Sequence, residues 1–264
     1  MVLQLMSYKI SASGLSDVGL VRENNEDIWA ELPEEKFYVL ADGMGGHQAG
    51  EIASQEAVFN FLEIIRKVLT SSSRKLSLKE MKDAIKESIE EVNKTIYEMG
   101  RSDQQLGGMG TTFCCVHFHP EAVIYAHVGD SRIYHFGKEG LQQLTKDHSL
   151  MSELVELGYL SEPEAKEFLY KNILTRAIGT ESSIVPAVGS REVQADDIFI
   201  MCSDGLSDLV SIQEIEAIIR ESPTIDDCAQ ALVSEAKRKG GYDNITVVLL
   251  KVLDDDSTKR NLSR

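Results

Sequence analysis

Four aspartates stand where apolar runs begin or end, each beside a glycine or an asparagine. The stretches are Phe37-Tyr-Val-Leu-Ala-Asp42-Gly43, Val123-Ile-Tyr-Ala-His-Val-Gly-Asp130, Ile198-Phe-Ile-Met-Cys-Ser-Asp204-Gly205, and Asp243-Asn244 ahead of Ile245-Thr-Val-Val-Leu-Leu. Short apolar or β-branched runs bounded by such residues read as buried strands. A carboxylate at a strand end escapes burial yet is held by a rigid frame. Where several such ends converge, they form an oxygen-donor site for hard divalent cations such as Mg2+ or Mn2+. Any single Asp-Gly pair is better explained as a turn. Four with the same placement point to a site.

Arg22 lies shortly before Glu26 and Asp27, which adds a fixed cation to the acidic edge. It balances charge, or it forms a fork that grips a phosphate dianion beside the metals. Metals with such an arginine suggest phosphoryl chemistry. The other routes to it lack their motifs. Pro120, Glu121, Asp208 and Ser234 occupy the positions where a cysteine-based phosphatase needs its arginine. No phosphate-binding GxxxxGK[ST] loop is present. Attack by metal-activated water remains. His117 and His119 share a strand face, but two ligands do not complete a zinc site, and they read as a solvated face.

These residues need a frame, and the hydrophobic periodicity predicts one. Strands are expected near residues 8–13, 28–32 and 36–41, the last two joined as an antiparallel hairpin. Helical spacing follows over 50–69 and, more clearly, through Leu78, Met81, Ile85, Ile89, Val92, Ile96 and Met99. Strands near 111–118, 122–128, 131–136 and 141–144 read as a meander with Asp130 in a tight turn. Residues 149–182 break the pattern, with short helices near 149–157 and 162–169, and read as a lid or flap. Strands return at 185–194 and 198–203, then helices near 212–221 and 225–238, then a strand at 245–252. Blocks of strands and pairs of helices argue for an α+β fold with antiparallel sheets covered by helices. The hairpin gathers Glu26, Asp27 and Asp42 at one edge. Asp204 and Asp243 share another if their strands pair. Pattern alone does not merge the two edges.

The chain has 264 residues, enough for one large core, read as a single domain over 1–253 with a polar, disordered tail over 254–264. With 43 acidic against 27 basic residues the net charge is −16, a field that repels nucleic acid and anionic membranes and favours a monomer. Cys114, Cys115, Cys202 and Cys228 have no CxxC spacing and are expected as buried thiols in a reducing cytoplasm. No run approaches the ~18 apolar residues of a membrane span.

The motifs together resemble the bacterial form of the metal-dependent protein serine/threonine phosphatases of the 2C type. They are Ser16-Asp-Val-Gly-Leu-Val-Arg22-Glu-Asn-Asn-Glu26-Asp27, Ala41-Asp42-Gly43-Met-Gly-Gly-His47, Gly108-Met-Gly-Thr-Thr112, Val128-Gly-Asp130-Ser-Arg132, Thr145-Lys-Asp-His-Ser149, Leu174-Thr-Arg-Ala-Ile-Gly179, Ser203-Asp204-Gly205-Leu-Ser-Asp208 and Gly241-Tyr-Asp243-Asn244-Ile-Thr246. They occur in family order over almost the whole chain. The resemblance implies a four-layer αββα sandwich, with the flap at 149–182. It implies two core Mn2+ or Mg2+ ions and a weaker third. By position, Asp42 would bridge the two ions, with the Gly43 carbonyl completing one. Asp204 and Asp243 would hold the second, Glu26 would act through water, and Asp130 with Asp204 or Asp208 would hold the third. Arg22 would bind the substrate phosphate. A hydroxide bridging two ions ~3.5–4 Å apart would attack phosphorus in line.

Two departures stand out. Met44 occupies the position where the eukaryotic branch carries a histidine that is its candidate general acid, and His47 lies three residues further on. Many bacterial relatives carry a flap histidine, where this chain has Glu167-Phe-Leu-Tyr-Lys-Asn172. The implied substrates are phosphoserine and phosphothreonine proteins in signalling, with a cognate Ser/Thr kinase as partner. A catalytically inactive binding or scaffold module is the alternative, and the intact Arg22, Asp42, Asp204 and Asp243 weigh against it.

Overall fold

The alternating segments pair into two antiparallel sheets; the computed structural model describes them within residues 9–45, 49–166, 168, 170 and 173–253. The first has the order β1 (Lys9–Asp17), β11 (Ile245–Leu253), β10 (Ile198–Cys202), β7 (Arg132–Gly137), β8 (Gly140–Gln143). The second runs β2 (Asp27–Leu32), β3 (Phe37–Met44), β5 (Phe113–Phe118), β6 (Val123–Val128), β9 (Ala187–Arg191). The two-residue strand β4 (Gly110–Thr111) pairs with the end of β3. Helices α1 (Ala49–Ser71) and α2 (Leu78–Ser102) cover the second sheet, and α6 (Ile212–Glu221) with α7 (Ile225–Arg238) covers the first.

Side-chain alternation builds this four-layer αββα sandwich. Val39 and Cys115 point to the helices and pack with Phe61, Ile65, Ile85 and Ile89. Their neighbours Leu40 and Cys114 point the other way, against Met201, Val248 and Leu250 of the facing sheet. Ile200, Val247 and Leu249 alternate again, onto Ile215 and Leu232 of the second helix pair. Each sheet is therefore buried on both faces, which explains runs too continuously apolar for a one-sided sheet. The start of α2 is fixed by a capping box in which Ser77 and Glu80 exchange side-chain and backbone bonds, worth about 1 kcal/mol.

Two expectations are corrected. The strands from 111 to 144 form no single meander: β5 and β6 pair in one sheet, β7 and β8 in the other, and the chain crosses between sheets at Gly129-Asp130-Ser131. Gly129 makes the crossing at φ +100°, where a Cβ would also meet Thr112 at 2.8 Å. His117 and His119 are buried, not solvated: His117 stacks on Phe37 at 3.9 Å, and His119 bonds the Leu76 carbonyl through Nε2. Residues 204–207 form a short helix, α5.

Between residues 149 and 182 the chain forms α3 (Leu150–Glu156) and α4 (Glu162–Lys166). It is tied at both ends by Ser149 bridging Leu174 and Thr111 bridging Ile178. All four cysteines are buried free thiols. Among the described residues no helix is long and apolar enough to cross a membrane. The tail at 254–264 and His47 lie outside the described residues.

Candidate functional site

The β2–β3 hairpin sets Asp27 directly opposite Asp42, with Glu26 one residue outside the pair. Asp42 is locked through its backbone. Its N–H donates to Thr112 Oγ1 at 3.0 Å, and its carbonyl accepts from Thr112 N and Thr111 Oγ1, both at 2.8 Å. Gly43 donates its N–H to the Glu26 carbonyl at 3.1 Å. A Cβ on Gly43 would lie 2.1 Å from the Gly50 carbonyl oxygen, so the start of α1 packs here only against glycine. A Cβ on Gly50 would in turn meet Glu26 Oε2 at 2.6 Å. Small residues thus let a helix and a hairpin close around one glutamate.

The facing sheet supplies the other half. Asp204 follows β10 and Asp243 precedes β11, and those strands pair antiparallel, so both aspartates leave the same edge. Direct bonds then join the two edges. Ser203 Oγ donates to Asp27 Oδ2 at 2.7 Å and accepts from Thr246 N at 3.0 Å. Asn244 Oδ1 accepts from Glu26 N at 2.8 Å, while its Nδ2 donates to the carbonyls of Val18 and Asn24. A buried serine and a buried asparagine perform the merger that strand pairing could not.

The result is a cleft of about 350 Å³ lined by Arg22, Glu26, Asp42, Gly43, Asp130, Asp204 and Asp243, with Met44, Gly45, Thr112 and Leu174. Of the eight residues singled out in the sequence, only Asp208 is not on its wall. Asp208 is exposed, yet its charge acts on both Asp130 and Asp204. Burial, and then the charges of Asp27, Asp204, Asp130 and Asp243, raise Asp42 well above the usual carboxylate range. Asp204 is raised in the same way by burial and by Asp130, Asp208, Asp243 and Asp27. Burial and Asp147 push Asp130 up to about 6. Glu26 is raised by burial, against the pull of Arg22.

Such a cluster is costly in itself, and divalent cations would remove the cost. Every acidic and backbone donor on the wall is a hard oxygen, with no histidine or cysteine among them, which fits Mg2+ or Mn2+ rather than zinc. Among the described residues, Asp27 Oδ1, buried beside the cluster, has no hydrogen-bond partner. Among the described residues, no three His, Cys, Asp or Glu side chains stand close enough to enclose one ion as they are placed. Like charges in one cleft repel, so ligation would draw these carboxylates inward. Arg22 is exposed at the rim, and its Nη2 donates to Asp243 Oδ2 at 2.8 Å.

Asp27, Thr112, Ser203 and Asn244 also shape the cleft, with no role legible in the sequence. Each lies inside a quoted motif, but a polar residue that bonds across sheets leaves no periodic signal. The Met44 side chain, where a histidine was a possibility, lines the cleft.

A family model described as protein phosphatase 2C matches residues 21–250. The serine/threonine phosphatase stp of Listeria monocytogenes is 36% identical over 239 residues, covering 89% of this chain and 93% of that protein. The serine/threonine phosphatase of S. agalactiae superposes with a TM-score of 0.84 at 38% identity, over 92% of this chain and 99% of that one. The catalytic domain of the phosphatase PstP in complex with two manganese ions superposes with a TM-score of 0.79 at 33% identity, over 94% and 100%.

Proposed function

The chain belongs to the protein phosphatase 2C family, and on that premise we propose that it hydrolyses phosphoserine and phosphothreonine in proteins with divalent ions held in the acidic cleft. The observation that carries this reading is the convergence of Asp42, Asp204, Asp243 and Arg22 on one cleft from opposite sheets. The manganese ions of the PstP relative lend weight to the choice of metal. Asp42 and the Gly43 carbonyl, with Asp204 and Asp243, would hold two Mn2+ or Mg2+ ions. Glu26 would act through water, and Asp130 with Asp204 or Asp208 would hold a weaker third.

Ions held by these residues would supply Lewis acidity, which activates water toward phosphorus and offsets charge on the phosphoryl oxygens. The protein's own residues do the rest. The Arg22 fork is placed to take two phosphate oxygens once it leaves Asp243, which orients phosphorus toward the carboxylates. Thr112 would fix the backbone of Asp42 and Ser203 the carboxylate of Asp27 beside it, so that the Asp42 side chain has only a short way to move to reach an ion. Met44 offers no proton, so the leaving alkoxide would take its proton from solvent or from His47.

Such an enzyme opposes Ser/Thr kinases, and we place a cognate kinase among its partners, in a reducing cytoplasm that suits four free buried thiols. The test is turnover of a phosphothreonine peptide with Mn2+ and with chelator, for wild type, Asp42→Asn and Asp204→Asn. Metal-dependent turnover that both substitutions reduce by ~100-fold or more is expected. Activity that survives chelation would sink the reading.

A further inference from the structure

Nine large apolar side chains are exposed among the described residues, and seven of them belong to three stretches of chain that each carry a cleft-lining residue. Leu157, Tyr159, Tyr170 and Ile173 lie in the segment 149–182, whose Leu174 lines the cleft. Leu20, Val21 and Tyr242, between 61% and 64% exposed, lie on the two loops that carry Arg22 and Asp243. Scattered single apolar residues are ordinary on a surface. Three on two joined loops, next to the arginine of the site, are not scattered.

The two loops are pinned together. Leu20 N donates to the Gly241 carbonyl at 2.8 Å. Gly19 turns at φ +81°, and a Cβ there would lie 2.2 Å from the Asp243 carbonyl. A Cβ on Gly241 would meet Leu20 Cγ at 3.1 Å. Arg22 Nη2 to Asp243 Oδ2 closes the far end at 2.8 Å. The apolar side chains thus stand on a fixed base whose position relative to the phosphate site is set by backbone packing.

We propose that Leu20, Val21 and Tyr242 form a shelf that receives an apolar side chain of the substrate polypeptide close to its phosphorylated residue. The proposal rests on the phosphatase reading above. The occupant follows from continuity with the cleft. Val21 is bonded to Arg22 and Leu20 is one residue further, so the shelf begins within about 4–8 Å of the arginine backbone. An extended peptide advances ~3.3 Å per residue. With its phosphate on Arg22, it sets the residue two or three positions away over the shelf. That apolar side chain would add binding without touching the reacting atoms.

The experiment compares phosphothreonine peptides carrying leucine or serine two and three positions from the phosphoresidue, on either side. Wild type, Val21→Ser and Val21→Ser/Tyr242→Ser are assayed with Mn2+, and p-nitrophenyl phosphate, which has no flanking residue, serves as the control. Wild type is expected to favour one leucine peptide by roughly fivefold to tenfold in kcat/KM, mostly through KM, as befits a partly buried side chain. The double variant should lose that preference while its p-nitrophenyl phosphate turnover stays within about twofold. No preference in wild type, or one that survives in the double variant, would overturn the shelf. Concentration-dependent self-association that the substitutions abolish, without peptide preference, would assign the shelf to a second copy and overturn it too. No metal-dependent turnover of p-nitrophenyl phosphate by wild type would instead fault the phosphatase reading itself.

Discussion

Arg22 Nη2 donates to Asp243 Oδ2 at 2.8 Å, so the cation assigned to phosphate and a carboxylate assigned to metal are each other's partner. Asp243, Glu26 and Asp204 raise the Arg22 pKa against the effect of its partial burial. Neither partner is deeply buried, so the pair itself contributes little stability. On the proposed reading its meaning is competitive: an ion that draws Asp243 inward would release Arg22 toward substrate. Arg22→Ala is therefore expected to raise KM for a phosphopeptide about tenfold or more while leaving Mn2+ affinity equal or tighter. Steady-state kinetics and calorimetric metal titration check the two halves separately. Weaker Mn2+ binding in the variant would refute the exchange.

The carboxylate cluster should trade stability for function. Asp204 is raised well above the usual range by burial and by its neighbours, so its charge works against the fold in the absence of cations. Asp204→Asn should raise the chelator-treated Tm by a few degrees, since ~1 kcal/mol shifts a chain of this size by about 2–4 °C. The same variant should lose most of the Mn2+-induced Tm gain of the wild type. Thermal scans with and without metal decide the matter; an unchanged or lowered chelated Tm counts against it.

Burial, with help from His119, pushes His117 down to about 3. The unfolded chain therefore binds a proton near 6.5 that the folded chain refuses until about 3. Its contribution is complete above pH 6.5 and is lost as pH falls toward 3, at about 1.4 kcal/mol per pH unit within that window. His117→Phe, which keeps an aromatic ring against Phe37, should flatten the decline of stability between pH 6 and 4. Urea midpoints at several pH values give the slope. An unchanged slope would show that His117 is not the group responsible.

Arg132 clamps the chain just after Asp130. Its Nε and Nη2 donate to Asp147, with Nη2 to Oδ2 at 2.6 Å, and Asp147 is almost fully buried. Removing one partner leaves a buried charge alone. Arg132→Met should cost roughly 3 kcal/mol, and adding Asp147→Asn should recover part of it. Urea denaturation of the two single variants and the double variant completes the cycle. A loss that is simply additive would mean the clamp is no more than surface charge.

The elements were largely legible because their signals are local. Ile212–Glu221 and Ile225–Arg238 form helices where the spacing placed them, and the hairpin putting Asp27 opposite Asp42 follows from its short polar link. Which sheet a strand joins is not local. Val123–Val128 and Arg132–Gly137 look alike in sequence, yet they lie in different sheets, and Asp130 reaches the cleft because the chain crosses between them. The burial of His117 was equally hidden, since it depends on Phe37 stacking from another strand. For the cleft, residue type and motif exposed the ligands, while the bonds of Ser203 to Asp27 and of Asn244 to Glu26 exist only across the sandwich.

β11 sits in the interior of its sheet, with β1 on one side and β10 on the other, although it is the last strand of the described chain to be synthesised. A nascent chain that has emerged only through residue 240 contains the hairpin bearing Asp42, but it has neither Asp243 nor the strand that aligns Asp204. Lys9–Asp17 must wait, unpaired on that side, for Ile245–Leu253 to arrive. The acidic cleft therefore comes into being only once β11 has been made, and a polypeptide interrupted before β11 on the ribosome lacks both Asp243 and the strand that aligns Asp204.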